Sequence, residues 1–425
     1  MVSKEKITNA NSFPKDWPIK KLADIGSTYG GLINKSKEDF TEGNSKFITY
    51  KNIYNNTFIN TNELESVRID KDEKQNKVKY GDVFFTGSSE TPDEVGISSV
   101  LLEEVDDVYL NSFCFGFRFN DLKKTIPEFY GYYFRGPVFR NEVYPLAQGS
   151  TRFNLSKSEM VKLKVPVPPI KEQHKIAAIL SSVDKAIEKT EVIIEQTEKV
   201  KKGLMQQLLT KGIGHTKFKK TEIGEIPEEW EVKTFKEISV VRQGLQIPIA
   251  ERFREPGKDR YVYITIQYLN NPDAGAEYIE SPRSSVICNE DDVLMTRTGN
   301  TGQVVTNVHG VFHNNFFLID YNREVIYKDY LVQFLNHEKT QQLIRKLAGT
   351  TTIPDLKHGD FYSIHVPIPP IQEQRKIATI LKSVEDKVQK EKEKLAKLFS
   401  IKKALMQVLL TGKVRVKVDD EVMSQ

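Results

Sequence analysis

The chain has 425 residues, 39% hydrophobic and 28% charged, enough to bury ordinary cores and to divide into two or three domains rather than stay disordered. Its 62 basic and 58 acidic side chains leave a net charge of +4, so a phosphate-binding surface has to be a local patch and not a field of the whole molecule. No stretch approaches the roughly 18 apolar residues of a membrane span, and Met1 to Asn11 is polar without an apolar signal core, so a soluble, cytoplasmic protein is expected. Cys114 and Cys288 stand far apart without metal-ligand spacing, and two buried thiols in a reducing compartment are expected.

In chain order, residues 1–165 are expected to form a globular domain of mixed helix and strand. Pro14-Lys-Asp-Trp17 opens it, and Tyr29-Gly-Gly-Leu-Ile-Asn-Lys35 has the glycine and amide content of a turn. Thr86-Gly-Ser-Ser-Glu-Thr91 follows Asp82-Val83 as a second polar loop. Phe113-Cys-Phe-Gly-Phe-Arg-Phe119 alternates at the period of a strand. Gly149-Ser-Thr-Arg-Phe-Asn154 is a third polar loop.

Val165-Pro-Val-Pro-Pro-Ile-Lys-Glu-Gln-His-Lys-Ile-Ala-Ala-Ile-Leu180 then begins a segment that returns as Val366-Pro-Ile-Pro-Pro-Ile-Gln-Glu-Gln-Arg-Lys-Ile-Ala-Thr-Ile-Leu381, identical at 12 of 16 positions with an offset of 201. The offset holds through Leu204-Met-Gln-Gln-Leu-Leu-Thr210 and Leu405-Met-Gln-Val-Leu-Leu-Thr411, which dismisses chance and indicates a duplication. Pro168-Pro169 and Pro369-Pro370 mark helix starts with no later proline, predicting connector helices within 166–212 and 366–413. Ile176, Leu180, Val183, Ile187, Thr190, Ile194, Thr197, Lys201, Leu204 and Leu208 recur in steps of four and three. Ile377, Leu381, Val384, Val388, Glu391, Leu395, Leu398, Lys402, Leu405 and Leu409 repeat the stripe. This heptad seam predicts a coiled coil of the two helices, with its polar positions helping to fix register. About 40 residues at 1.5 Å each make a rod of about 60 Å. The first helix delivers the chain to domain two through the short Gly-containing linker Lys211 to Glu225. The second must then run back to pair with it. An antiparallel pair is expected, with domains at opposite ends and a pseudo-two-fold axis across its middle.

The second domain is expected over residues 213–365, and Pro227-Glu-Glu-Trp230 repeats the opening of the first. Arg242-Gln-Gly-Leu-Gln246 is an opening loop, Tyr261-Val-Tyr-Ile-Thr-Ile-Gln-Tyr-Leu269 a candidate strand, and Lys328 to Leu347 a candidate helix. Asp292-Val293 echoes Asp82-Val83, and Val311-Phe-His-Asn314 echoes Val108-Tyr-Leu-Asn111. Thr296-Arg-Thr-Gly-Asn-Thr-Gly-Gln303 stands in the place of the loop at Thr86. Ala348-Gly-Thr-Thr-Thr352 and Leu356 match Ala147-Gln-Gly-Ser-Thr151 and Leu155, and residues 414–425 are left as a tail. Each half is thus a divergent globular part followed by a nearly identical connector, the pattern of a protein selected for two different targets.

Catalytic signatures are missing. Gly412-Lys413-Val414 lacks the first glycine and the hydroxyl of a phosphate-binding loop. The nearest approach to an adenine methyltransferase loop is Asn271-Pro272-Asp273, a turn. The seven histidines form no ligand pair, and a lone loop histidine such as His313 is more often structural. No metal site is expected. Side chains that read base edges are better candidates: Arg297, Asn300 and Gln303 in the loop 296–303, Arg242 and Gln246 at the opening of the second domain, and Ser88, Ser89, Lys35 and Arg152 in the first. For each of these, turn formation satisfied by local backbone is an equally good explanation.

The sequence closely resembles the specificity subunits of Type I restriction-modification enzymes. The resemblance covers the whole chain and rests on Pro-x-Pro-Pro-Ile-x-Glu-Gln-x-Lys-Ile-Ala at 166–177 and 367–378, on Leu-Met-Gln-x-Leu-Leu-Thr at 204–210 and 405–411, and on Ile-Pro-x-x-Trp at 226–230. The first domain departs slightly with Phe13-Pro14-Lys15-Asp16-Trp17. The resemblance implies that each domain reads half of a bipartite double-stranded DNA site, with the rod setting the unread spacer. It implies two modification subunits, which carry S-adenosylmethionine and methylate adenine and dock on the connectors, and ATP-driven, magnesium-dependent restriction subunits. The chain itself is then expected to hold no cofactor and to catalyse nothing. Two other readings stay open on the residues alone: a scaffold whose coiled coil binds proteins, and an autonomous nuclease or methyltransferase.

Overall fold

A computed structural model describes residues 13–271, 275–349 and 354–418. Outside the described residues lie the polar stretch Met1 to Asn11, Pro272 and Asp273 of the expected turn, Thr350 to Thr352 of the loop before the second connector, and the end of the tail. The chain divides into two compact units, one made of residues up to Glu191 with those from Glu393 onward, the other of Val192–Lys392.

In unit 1, an antiparallel sheet runs in the order Gly26–Gly30, Cys114–Phe119, Val83–Thr86, Ser98–Val100. The period of two sends alternate side chains to opposite faces. Phe85, Phe115 and Phe117 join Tyr130, Tyr133 and Phe134 of helix Pro127–Arg135 in the main core, while Phe84 and Cys114 enter a smaller cluster with Ile48 and Leu110. A second sheet orders Glu65–Val67, Ser45–Ile48 and Val108–Leu110, the last two parallel.

Unit 2 repeats the plan. Ser239–Gln243, Phe316–Tyr321, Val293–Thr296 and Val304–Val305 form the antiparallel sheet. Tyr278–Glu280, Arg260–Ile264, Gly310–Phe312 and Ile287–Cys288 form the second sheet, again with one parallel pair, Arg260–Ile264 on Gly310–Phe312. Trp230, Phe235, Phe317, Tyr330 and Phe361 anchor its core. Both units are the mixed α+β domains that were expected, with the same strand order in the first sheet, while the second sheet of unit 2 carries the additional strand Ile287–Cys288.

The connectors are unbroken helices, Ile170–Lys211 and Ile371–Leu409. Gln173 N–H donates to Pro169 O at 3.0 Å and Gln374 N–H to Pro370 O at 3.1 Å, so the second proline of each pair opens its helix. Within unit 1, Lys402 pairs with Asp184 at 2.6 Å, and Ile176 and Leu180 share a core with Leu405 and Leu409. Within unit 2, Lys201 pairs with Glu385 at 2.8 Å, Lys392 with Glu198 at 2.7 Å, and Leu204 and Leu208 pack with Ile377 and Leu381. Rising numbers on one helix meet falling numbers on the other, which is antiparallel pairing. Every seam position, including Val183, Ile187, Ile194, Val384, Val388, Leu395 and Leu398, is buried or half-buried. Four of the five polar seam residues have identified partners: Thr190 and Thr197 donate to the carbonyls of Ala186 and Ile193 at 2.7 Å, and Lys201 and Lys402 reach acids of the opposite helix.

The repeated Glu-Gln pair explains itself at the helix starts. Gln173 Oε1 accepts from Ile126 N–H at 2.8 Å, and its Nε2 donates to Lys124 O and Pro168 O at 3.0 and 2.8 Å. Gln374 makes the same three bonds, with Tyr327 N–H, Val325 O and Pro369 O at 2.8, 2.9 and 2.8 Å. Both side chains are fully buried. The neighbouring glutamates hold the chain that leaves the opposite helix. Glu172 accepts from Arg415, and Glu373 accepts from Ile213 N–H, His215 and Trp230 Nε1 at 2.9 to 3.0 Å.

Four local expectations are corrected. The strand expected over Phe113–Phe119 begins at Cys114, leaving Phe113 in the preceding turn. The strand over Tyr261–Leu269 stops at Ile264, because the Thr265 hydroxyl accepts Tyr268 N–H at 3.1 Å and starts helix Ile266–Asn270. The helix over Lys328–Leu347 is two helices broken at extended His337. The linker after Lys211 contains a hairpin, Phe218–Thr221 with Gly224–Pro227.

Replacing Gln173 or Gln374 by leucine leaves one buried amide N–H and two carbonyls without partners, at a cost of about 2–5 kcal/mol. Denaturant unfolding is expected to show a loss of that size for Gln374→Leu and little change for the exposed Gln372→Leu; equal losses would remove the buried amide from this role.

Candidate nucleic-acid interface

The polar loops converge on one corner of each unit. In unit 1 Gly31, the residue after the first sheet strand, lies against Asn111, so closely that a Cβ on Gly31 would sit 2.1 Å from Asn111 O. Leu32 N–H donates to Leu110 O at 2.8 Å, Gly87 N–H to Phe113 O at 2.8 Å, and Leu155 N–H to Gly87 O at 2.9 Å. Four separate segments are thereby tied at one point. The turn between Leu110 and Cys114 is fixed from inside, the Asn111 Oδ1 accepting Phe113 N–H at 2.9 Å.

Unit 2 reproduces these bonds. Gly244 lies against His313 as Gly31 does against Asn111. Leu245 N–H donates to Phe312 O at 3.0 Å, Arg297 N–H to Asn315 O at 2.7 Å, and Leu356 N–H to Arg297 O at 2.9 Å. His313 Nδ1 accepts Asn315 N–H at 3.0 Å, as Asn111 does for Phe113. The bonding pairs Asn111 with His313. The expected register, Val108 to Asn111 on Val311 to Asn314, is therefore one residue out, because matching valines by identity ignored the hydrogen-bond ladder. By the same ladder Ile33 corresponds to Gln246, Gly87 to Arg297, and Phe113 to Asn315.

The expected base-reading residues separate by exposure. Asn300, Gln246 and Arg152 are exposed at their corners and Gln303 is half-buried, Asn300 Nδ2 lying 3.3 Å from Gln303 Oε1 and Gln246 Oε1 accepting Asn314 Nδ2 at 3.2 Å. Arg297 is at the corner, but its guanidinium forks onto Asp355, Nη2 to Oδ2 at 2.9 Å and Nε to Oδ1 at 3.1 Å. That fork and the Thr298 hydroxyl hold the Asp355 carboxyl below the usual carboxylate range. The arginine braces the loop that carries Asn300 and Gln303.

Ser88, Ser89, Lys35 and Arg242 do not stand open as expected. Ser88 and Ser89 form a buried strand paired with Phe153 and Asn154, and the Ser89 hydroxyl donates to Glu94 at 2.5 Å. Short polar side chains that looked like a loop fit between strands. The Lys35 ammonium is almost fully buried in a pair with Glu73 at 2.5 Å, away from the corner. Arg242 lies on strand Ser239–Gln243, 3.8 Å from Asp320, with its Nε buried. Sequence reading missed the exposed Phe113 and the half-buried Asn314 and Asn315, whose place at the corner follows from turn geometry that spacing does not report.

Among the described residues no cluster of three metal-ligating side chains occurs. No described helix is long and apolar enough to cross a membrane. Both cysteines are buried free thiols, pushed up by burial to about 12 for Cys114 and about 11 for Cys288, which makes them inert.

The model of the Type I restriction modification DNA specificity domain matches this chain twice, over residues 14–199 and 227–399. The chain belongs to that family. The MjaIX type I restriction enzyme specificity subunit of Methanocaldococcus jannaschii is 26% identical, over 97% of this chain and 96% of its own. A chain of the same archaeon assigned as the MjaX specificity subunit is 29% identical over 97% of each. Among solved structures, the S subunit of the Type-I restriction-modification system of M. genitalium superposes with a TM-score of 0.56 at 17% identity, covering 96% of this chain and 99% of that one, a likeness of fold. A chain from a structure of type I complex assembly and conformational transition gives 0.59 at 15% identity, covering 95% and 99%. By family this is a DNA specificity protein of a restriction-modification complex and not its catalytic component, which fits a duplicated corner of loops.

Unit 2 titrates at its corner. Burial holds His313 and His358 below the usual histidine value of about 6.5, with Arg252 adding to the effect at His313 and Arg297 at His358. A lowered folded pKa means that the unfolded chain takes up the proton first. Stability is therefore complete above about pH 7 and falls as pH drops through 6.5 toward the folded values. In a Trp17→Phe background, the fluorescence of Trp230 should report a lower unfolding midpoint at pH 5.5 than at pH 7.5. Adding His313→Gln and His358→Gln should shrink that difference, and an unchanged difference would remove both imidazoles from the account.

Proposed function

We propose that this chain directs a type I restriction-modification complex to a bipartite DNA site, each unit reading one half. The recognition domains are residues 1–165 and 213–365, and the connector helices, 166–212 and 366–413, set the number of unread base pairs between the halves and dock two modification subunits. Adenine methylation with S-adenosylmethionine, and ATP- and magnesium-dependent restriction, belong to the partner chains, and the assembly works in the cytoplasm.

One observation carries this reading: the same hydrogen-bonded corner is built in both units, with equivalent backbone and different side chains at its surface. A shared backbone with exchanged side chains suits two readers of one polymer whose targets differ in sequence. Phosphate contacts from lysines and arginines position such readers, and a few loop side chains specify. The connectors are nearly identical at both ends, over 165–180 and 366–381 and over 204–210 and 405–411, which suits docking of the same partner at those ends.

Assembled with its modification subunit, the chain is expected to direct methylation of a split sequence, with duplex binding that weakens steeply as salt rises. Methylation of DNA without any split motif would sink the proposal. The helices give a separate handle. A seven-residue insertion matched in both connectors lengthens each by about 10 Å, about three base pairs at 3.4 Å. The methylated spacer should grow while both half-sites stay the same; an unmoved spacer removes the helices as the ruler.

A further inference from the structure

The corner of unit 1 presents an aromatic ring where unit 2 presents an amide. Phe113 is 52% exposed in a turn pinned at the backbone: its N–H is held by Asn111 Oδ1 at 2.9 Å and its carbonyl by Gly87 N–H at 2.8 Å. The Arg152 guanidinium lies 5.0 Å from the centre of its ring. Arg152 reaches it from the turn at Gly149, whose φ of +142° and close approach to Arg152 O leave no room for a Cβ. A stacked cation keeps the ring from folding back onto the protein and puts positive charge next to it. Ile33, 57% exposed, follows the crossing of Leu32 over Leu110 in the same corner.

The equivalent places in unit 2 hold Gln246 and Asn315, with Asn314 Nδ2 on Gln246 Oε1 and Asn314 Oδ1 buried without a partner among the described residues. One backbone therefore displays apolar groups in one unit and amides in the other. In the major groove these two chemistries address different atoms. Asn and Gln side chains match the N6 and N7 of adenine, whereas an apolar or phenyl group is complementary to the C5 methyl of thymine.

We infer that Phe113 is a specificity-determining residue of unit 1, reading a thymine of its half-site through the C5 methyl, with Arg152 as its positioning residue. The inference rests on the bipartite reading proposed above. The geometry that supports it is a rigid, partly exposed ring on a loop, flanked by a guanidinium able to meet the phosphate backbone. Phe113 makes no contribution to the main core, so its replacement leaves the fold of the unit intact.

The test uses the full chain assembled with its modification subunit. The methylated motif is first mapped, and each thymine of both half-sites is then replaced in turn by deoxyuridine, which keeps base pairing and removes only the methyl. One position, confined to one half-site, is expected to lose about three- to fivefold in binding, the value of one buried methyl group. With Phe113→Ala that penalty should vanish, and with Phe113→Asn the motif should relax or change at that position while the other half-site stays as it was. Arg152→Ala should weaken binding of thymine and uracil duplexes alike. Three results overturn the inference while leaving the bipartite reading in place: a motif unmoved by both Phe113 variants, a uracil penalty that survives Phe113→Ala, or half-sites that contain no thymine. Absence of any split motif with the unsubstituted chain overturns both, and unchanged thermal unfolding of Phe113→Ala confirms that a lost contact, not a lost fold, is being read.

Discussion

Two buried glutamine side chains hold this protein to its plan. Gln173 and Gln374 each make three hydrogen bonds at the first turn of a connector helix, taking an N–H from the helix-bearing segment of the domain and giving to one carbonyl there and one in the proline pair. An amide so enclosed has no solvent alternative, so any rotation of the helix start against its domain leaves several buried groups unpaired. The helix is thereby fixed in direction relative to the domain it leaves. The adjacent Glu172 and Glu373 gather the chain that emerges from the opposite helix, by Arg415 in one unit and by His215, Trp230 and Ile213 in the other. The Glu-Gln pair of one short motif, present once in each unit, joins domain, helix start and helix end.

That rigid base divides constancy from variation. The starts and ends of the two connector helices are nearly identical in the two copies, while the corners share only backbone bonds. Even the bracing differs: unit 2 stiffens its loop with the Arg297–Asp355 fork, whereas unit 1 has Gly87 in the place of that arginine and packs Ser88 and Ser89 as a strand. A surface whose backbone is over-determined in this way tolerates exchange of the side chains it displays. That property suits a fold used twice in one DNA-specificity protein.

Residue type misled where burial decided the outcome. Ser88, Ser89 and Lys35 belong to types that read bases or phosphates, yet each is satisfied inside unit 1, by Glu94, by a neighbouring strand and by Glu73. Phe113 belongs to a type that fills cores and was read as part of a strand, yet it falls one residue before the strand and is exposed. Residues 149–152 and 297–303 do form turns, as their glycine and amide content indicated, whereas Ser88, Ser89 and Arg242 fall on strands. Which side chains of a turn meet water depends on what crosses it from elsewhere in the chain.

The amino-acid sequence by itself determined the duplication, the two unbroken connector helices, their seam and their antiparallel sense, because a heptad period and the order of segments along one chain leave no other pairing. It also carried the family, through motifs whose residues turn out to be bonding partners at the helix starts. Only the tertiary structure decided that four distant segments meet at one corner in each unit, that Asn111 answers to His313, and which side chains that corner exposes. Those outcomes follow from backbone hydrogen bonds between residues far apart in the chain, and no local pattern of residue types encodes them.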